Sequence, residues 1–293
     1  VGSEMCIRDR IMIKDIFIVC RGAGDLATGI IHRLHRAGFK VLALETKKPA
    51  AIRRQVSFCE AVYDKEITIE GVKARLITSL DEVDEVIKQG VVPVIIDPKG
   101  ESIAKLRPDI VVDAIIAKKN LGTFMDMAPL VIGVGPGFTA GEDVDIVVET
   151  MRGHNLARII DKGQALANTG IPGNIGGYTS ERVIHAAAYG FIKNIRHIGD
   201  VVKKGDEIAR IYEKYDNNTS ESGFQGEYVP VNATISGIIR GLIRDGFEVT
   251  EGFKIADIDP REGELKNCFT ISDKSRSIGG SVLEAVCSYV SGM

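Results

Sequence analysis

"VCRGAGDLATGIIHRLHRAGFKVLALET", residues 19–46, decides how this chain is read. A β-rich run, "IFIVC" at 16–20, leads directly into Gly22, Gly24 and Ala27, which satisfy G-x-G-x-x-G/A. Glycines at those positions let the chain turn tightly and let backbone N–H groups approach a pyrophosphate at a helix N-terminus. Leu26, Ile30 and Leu34 then recur at helical spacing, with Ala27 and Ile31 widening the apolar stripe, so a helix is expected to end before Gly38. "KVLALE" at 40–45 supplies a second strand and ends in Glu45. That acid lies about 20 residues beyond the glycines, where a carboxylate would take a ribose hydroxyl pair.

Asp25 complicates the loop. In the first helical turn its carboxylate can cap free N–H groups and put negative charge where a phosphate would sit. Arg21, with Arg53 and Arg54 in "AAIRRQVSF", would restore positive potential. Two readings stay open, a nucleotide or phosphate site and a retained fold with an empty loop.

Further apolar runs extend the pattern: "VVPVIID" (91–97), "DIVVDAI" (109–115), "LVIGVG" (130–135) and "VDIVVET" (144–150). Unalternating strands are what a parallel sheet buried on both faces requires. A second helix is expected from a Ser79 cap to Gly90, and residues 60–77 read as short strands around turns. Residues 12–155 are therefore expected to form a Rossmann-like α/β half.

Beyond residue 155 the pattern turns to short β segments rich in glycine. "GFIKNIRHIGDVVKKGDEIARI" (190–211) aligns without a gap onto "GIIRGLIRDGFEVTEGFKIADI" (237–258). Each copy reads as strand, turn and strand, and two copies can bury their apolar faces on each other. The expectation for 156–293 is a β-rich barrel-sandwich module resembling biotinyl and lipoyl carrier domains. Lys214, in the polar link between the copies, lacks the setting of a carrier lysine.

The first ten residues, "VGSEMCIRDR", show no periodicity, and residues 1–11 are set aside as a non-native leader.

With 37 basic and 40 acidic residues, no whole-protein field would recruit nucleic acid or an anionic membrane. The longest apolar runs fall far short of the roughly 20 residues of a spanning helix. No export signal is apparent, so a cytoplasmic protein is expected. Five scattered cysteines without a C-x-x-C pair argue against a disulfide framework and against a metal site.

A second glycine loop, "VIGVGPGFTAGED" (131–143), follows a strand, and ligands of open α/β sheets bind at the carboxyl ends of strands. Gly135, Gly137 and Thr139 thus join Gly22, Gly24, Asp25, Glu45, Arg53 and Arg54 as candidate cofactor-binding residues. For chemistry the candidates are Cys20, beside the first loop with Arg21 as an electropositive neighbour, and Arg152 and His154 for an anion or acid/base role.

"RGAGDLATGIIHRL", "RRQVSFCEAVYD", "GVGPGFTAGEDVDIVVETMRGH" and "NTGIPGNIGGYTSERV" together resemble the YqeB-like family of selenium-dependent molybdenum hydroxylase system proteins, over nearly everything from Met12 onward. One departure is "LARII", with Ala157 where the family pattern has glycine. The resemblance implies an accessory or maturation protein for a molybdenum hydroxylase of the xanthine dehydrogenase type, with that enzyme as its partner. It carries no iron–sulfur cysteine set of its own. The bound species would be a nucleotide, the molybdopterin dinucleotide or a selenium donor. The rival reading is an NAD(P)-dependent oxidoreductase acting on a small metabolite.

Overall fold

The computed structural model describes residues 13–170, 173, 176–216 and 223–292, so the expected leader at 1–11 lies outside the described residues. In chain order the first part folds as β1 (Phe17–Arg21), α1 (Asp25–Arg36), β2 (Lys40–Glu45), α2 (Ala61–Asp64), β3 (Glu66–Ile69) and β4 (Val72–Leu76). There follow α3 (Val83–Lys88), β5 (Val92–Ile96), α4 (Ile103–Leu106), β6 (Ile110–Asp113) and β7 (Leu130–Val134). The short strands β8 (Thr139–Ala140), β9 (Ile146–Val148), β10 (Ile159–Ile160) and β11 (Gly163–Gln164) complete it.

Nine of these strands make one sheet in the order β10-β9-β7-β6-β1-β2-β5-β4-β3. Pairing is parallel from β9 through β4 and antiparallel at both edges, β10 on β9 and β3 on β4. The apolar runs explain the centre. Along β1, Ile18 and Cys20 face one core with Ile30 and Leu34 of α1, while Val19 faces the other with Leu42, Val111 and Val131. Around the β4–α3 junction Ser79 caps the turn: its Oγ accepts from the Asp81 N–H, and Glu82 reaches back to the Ser79 N–H at 2.8 Å.

The second part folds as β12 (Val183–His185), β13 (Gly190–Asn194), β14 (Val201–Val202), β15 (Glu207–Tyr215), β16 (Phe224–Asn232), β17 (Gly237–Leu242), β18 (Glu248–Val249) and β19 (Lys254–Asp259). They form two four-stranded antiparallel sheets, β12-β19-β17-β14 and β16-β15-β13-β18. Each copy of the repeat folds as strand, short strand, strand, and the short strands are exchanged: β14 pairs with β17 and β18 with β13. Gly190 and Gly237 open the two copies at φ +155° and +152°, where a Cβ would strike the carbonyls of Tyr212 and Asp259.

A final helix, α5 (Asp273–Ser291), returns to the first sheet and packs Ile278, Val282 and Val286 into the core that α1 covers. Each such side chain contributes about 1.5–3 kcal/mol by leaving water.

Two expectations are corrected here. The first part is not a Rossmann-like half: its sheet is mixed, with antiparallel edges. A doubly wound sheet has long crossover helices on both faces. Among the described residues only α1 is a crossover helix of more than two turns, and its neighbour α5 comes from the far end of the chain. Neither is the β-rich part a biotinyl or lipoyl-like barrel-sandwich module. The strands that flank its link, β15 and β16, run on as a nine-residue ribbon, in which Lys214 pairs with Gln225 rather than crowning a tight hairpin. The local repeat was legible, but repeat spacing says nothing about the ribbon or about docking to other elements.

That docking is extensive. The Leu242 N–H donates to the Ile52 carbonyl at 2.9 Å, and Arg54 Nε donates to the Leu242 carbonyl at 2.7 Å. Gly241 admits the approach, because a Cβ there would lie 2.6 Å from Ile52. Arg244 pairs with Glu60 at 2.8 Å and Asp64 at 2.6 Å. Among the described residues no helix is long and apolar enough to cross a membrane.

Candidate functional site

The glycine loop joins β1 to α1 at the carboxyl edge of the sheet. Gly22 takes φ +93°, its N–H donates to the Leu44 carbonyl at 2.8 Å, and a Cβ there would press on Ala114 and Ile115 at 3.0 Å. Gly24 is the N-cap of α1 in extended conformation, and the direction of its absent side chain is open.

Both acids of the loop are committed internally. Glu45 Oε2 accepts the Ala23 N–H at 2.9 Å and Oε1 accepts the Thr46 N–H at 2.7 Å. Burial pushes the Glu45 carboxyl above its ordinary range, against the pull of those two N–H groups. Asp25 accepts from Arg53 Nη1 at 3.1 and 3.0 Å and from Ser275 Oγ at 3.0 Å. A pyrophosphate placed at this helix end would find the Ala23 donor occupied and two carboxylates beside it. The loop therefore fits a dinucleotide phosphate poorly.

The arginines expected to assist the loop fasten the fold instead. Arg53 is buried; its Nη2 donates to the carbonyls of Asn267 at 2.9 Å and Thr270 at 3.0 Å. Arg54 holds Leu242, as described above. Arg21 is sealed in a buried cluster: it pairs with Asp113 at 3.3 Å and bonds Thr123 Oγ1, which in turn donates to Asp113 at 2.6 Å.

Cys20 is fully buried, and desolvation, with Asp113 and Glu45 nearby, drives its thiol far above the ordinary range. A thiol held neutral in this way is a poor nucleophile.

The second glycine loop is packed from within. Gly135, at φ +87°, lies against Thr150, and Gly137, at φ +111°, lies against the Lys119 backbone, where a Cβ would come within 2.6 Å. The Thr139 hydroxyl accepts from Gln164 at 2.8 Å, and its N–H donates to Asp143. His154 is exposed, and Arg152 turns from it to a bidentate pair with Asp273, 2.8 Å on each arm. No group of three or more histidine, cysteine or carboxylate side chains suited to a metal ion occurs among the described residues.

Arg152 instead belongs to a site the sequence did not disclose. A polar cavity of about 490 Å³ lies where the start of α5 meets β17 and the 3₁₀ turn at Glu262–Cys268. Four guanidiniums line it, Arg152, Arg240, Arg261 and Arg276, with the carboxylates of Asp273 and Glu264. Arg261 is held by buried Asp259 at 2.9 and 2.7 Å. Arg240 is largely buried, and burial lowers its pKa; the nearest carboxylate, Asp257, stands 3.7 Å off and also binds Arg182. These arginines lie up to 124 residues apart without shared spacing, so only the fold brings them together.

No family model matches the chain. In sequence it is 50% identical over 269 residues to YqeB of Escherichia coli K12, a protein described as uncharacterized. That alignment takes in 92% of this chain but 47% of the relative, so the chain spans about half the relative's length. Among solved structures it is similar to the ectoine utilization protein EutE (DoeB) of Ruegeria pomeroyi, at 11% identity and TM-score 0.24, covering 78% of this chain and 61% of that one. An aspartoacylase family protein of Mesorhizobium loti gives 9% identity and TM-score 0.26, covering 79% and 60%. At such scores neither likeness bears on fold or function. In sequence the chain is thus similar to YqeB over about half of that protein's length.

Proposed function

We propose that the chain is a binding protein in the maturation of a selenium-dependent molybdenum hydroxylase of the xanthine dehydrogenase type, taking charge of an anionic, nucleotide-bearing species such as the molybdopterin dinucleotide, or of a selenium donor. Its support in sequence is the resemblance of the quoted motifs to YqeB-like proteins of that hydroxylase system. One structural observation favours this over an NAD(P)-dependent oxidoreductase: Glu45, the acid placed to take a ribose hydroxyl pair, is bonded inside the protein, and Asp25, held by Arg53 and Ser275, sets a second carboxylate where a pyrophosphate would lie. The expected thiol, Cys20, is buried and neutral as well. The residues present at the glycine loop hold the fold, whereas the arginine-lined cavity has the donor set that a phosphate-bearing ligand requires.

Purine hydroxylase activity in cells lacking the gene, with hydroxylase polypeptide and molybdenum measured beside it, tests this reading. Activity lost while polypeptide and molybdenum are retained is the expected result, and restoration by added selenide would single out the selenium donor. Unchanged activity would overturn the accessory role.

A further inference from the structure

We propose that the cavity at the start of α5 binds a phosphoryl anion, a phosphate or pyrophosphate group either free or carried on a nucleotide. The inference deepens the function proposed above, on which its biological meaning rests, but its physical basis is separate.

The charges lining the cavity do not balance locally. Arg152 and Asp273 neutralise each other, and Arg261 is neutralised by Asp259 from behind. Arg240 and Arg276 remain, against one further lining carboxylate, Glu264, which accepts from Asn267. The Arg240 side chain is only 13% exposed; it shares Asp257 with Arg182, and its Nε has no hydrogen-bond partner. Arg276 Nη1 donates to the Ile271 carbonyl at 2.6 Å, a bond that leaves its charge uncompensated, and no salt bridge among the described residues includes it.

A half-satisfied guanidinium as buried as that of Arg240 is costly unless a counter-charge arrives, and exposed Arg276 adds a second, solvated fork beside it. An oxyanion supplies both the charge and the acceptors, and guanidinium forks match phosphoryl oxygens in geometry. The α5 N-terminus opens onto the same space and adds partial positive charge to that of the arginines. About 490 Å³ is more than a lone phosphate needs and lies within the roughly 300–1,000 Å³ of small-molecule sites.

Calorimetric titration of the purified chain with inorganic phosphate, pyrophosphate and ADP tests the proposal without any hydroxylase, so it can fail independently of the accessory role. Pyrophosphate is expected to bind more tightly than phosphate and to weaken as salt is raised. ADP equal to pyrophosphate would show that the phosphoryl group alone is read, and ADP tighter would show a nucleotide site. Arg276→Gln, an exposed change that leaves the core intact, should raise the pyrophosphate Kd about tenfold, and Arg240→Gln at least as much. Absence of binding by all three probes at about 10 mM would overturn the proposal. So would a Kd tightened by Glu45→Gln and unmoved by Arg276→Gln, which would put the anion at the glycine loop.

Discussion

Glu45 closes back on Ala23: its Oε2 accepts that amide N–H at 2.9 Å, joining the end of β2 to the loop that begins α1. The same carboxylate is half-buried and bonded directly to the loop's backbone, so the loop's shape and the ionisation of Glu45 are linked. Burial raises the folded-state pKa above the ordinary 4.5. Between 4.5 and that raised value the native state binds more protons than the unfolded chain, so this group's contribution to stability falls as pH rises through the interval. Glu45→Gln removes the dependence but leaves an amide NH₂ facing a backbone donor. The variant should be less stable by about 1–3 kcal/mol at the acid end, with the gap narrowing toward neutrality. Urea midpoints of both proteins from about pH 4 to pH 7 check this.

Two glycines two residues apart should respond differently to alanine. Gly22 takes φ +93° and has backbone atoms of Ala114 and Ile115 at 3.0 Å from the Cβ position, whereas Gly24 takes φ −69° and faces open space. Gly22→Ala should cost about 1–3 kcal/mol through strain and contact. Gly24→Ala, at an N-cap, should cost under about 1 kcal/mol. Chemical denaturation of the two variants gives the comparison, and equal losses would contradict the loop conformation described here.

Native-state alkylation should discriminate among the thiols. Cys20, Cys59 and Cys268 are buried, and burial raises the pKa of each, whereas Cys287 is exposed on α5. Iodoacetamide followed by peptide mass mapping should label Cys287 in the folded protein and reach the other three only after denaturation. Rapid labelling of Cys20 in the native state would revive it as a reactive group.

How far the sequence could be read follows from how local each signal is. β2 falls at 40–45 as its apolar run indicates, and α1 starts at Asp25 and stops before Gly38, because strand and helix periodicity are properties of a few consecutive residues. The repeat of 190–211 at 237–258 likewise appears as matching strands, β13 with β17 and β15 with β19. Pairing across long separations was not legible. Nothing near Asp273 indicates that its helix will cover the core begun at Ile18, or that Arg152 will meet Asp273 across 121 residues. The glycine motif was legible as a loop, but its emptiness or occupancy depended on where Glu45 and Arg53 found their partners. Those partners, Ala23 for one and Asn267 and Thr270 for the other, are tertiary facts.

The crossing of α1 and α5 shows the same point and yields the sharpest stability test. Gly29 in the middle of α1 sits so close to α5 that a Cβ would lie 2.6 Å from the Ser275 carbonyl oxygen, and a Cβ on Gly279 would lie 2.6 Å from the Gly29 carbonyl oxygen. Helix propensity alone favours alanine over glycine by about 1 kcal/mol. At this crossing the added methyl must push two backbones apart, a cost of about 1–3 kcal/mol from overpacking that also disturbs the Ser275 bond to Asp25. Gly29→Ala should therefore lower the urea midpoint. Gly280, one residue beyond Gly279, has nothing within 4 Å of its Cβ position. Gly280→Ala should raise the midpoint, by the same propensity that fails at Gly29, and opposite signs from one substitution type would locate the helix contact.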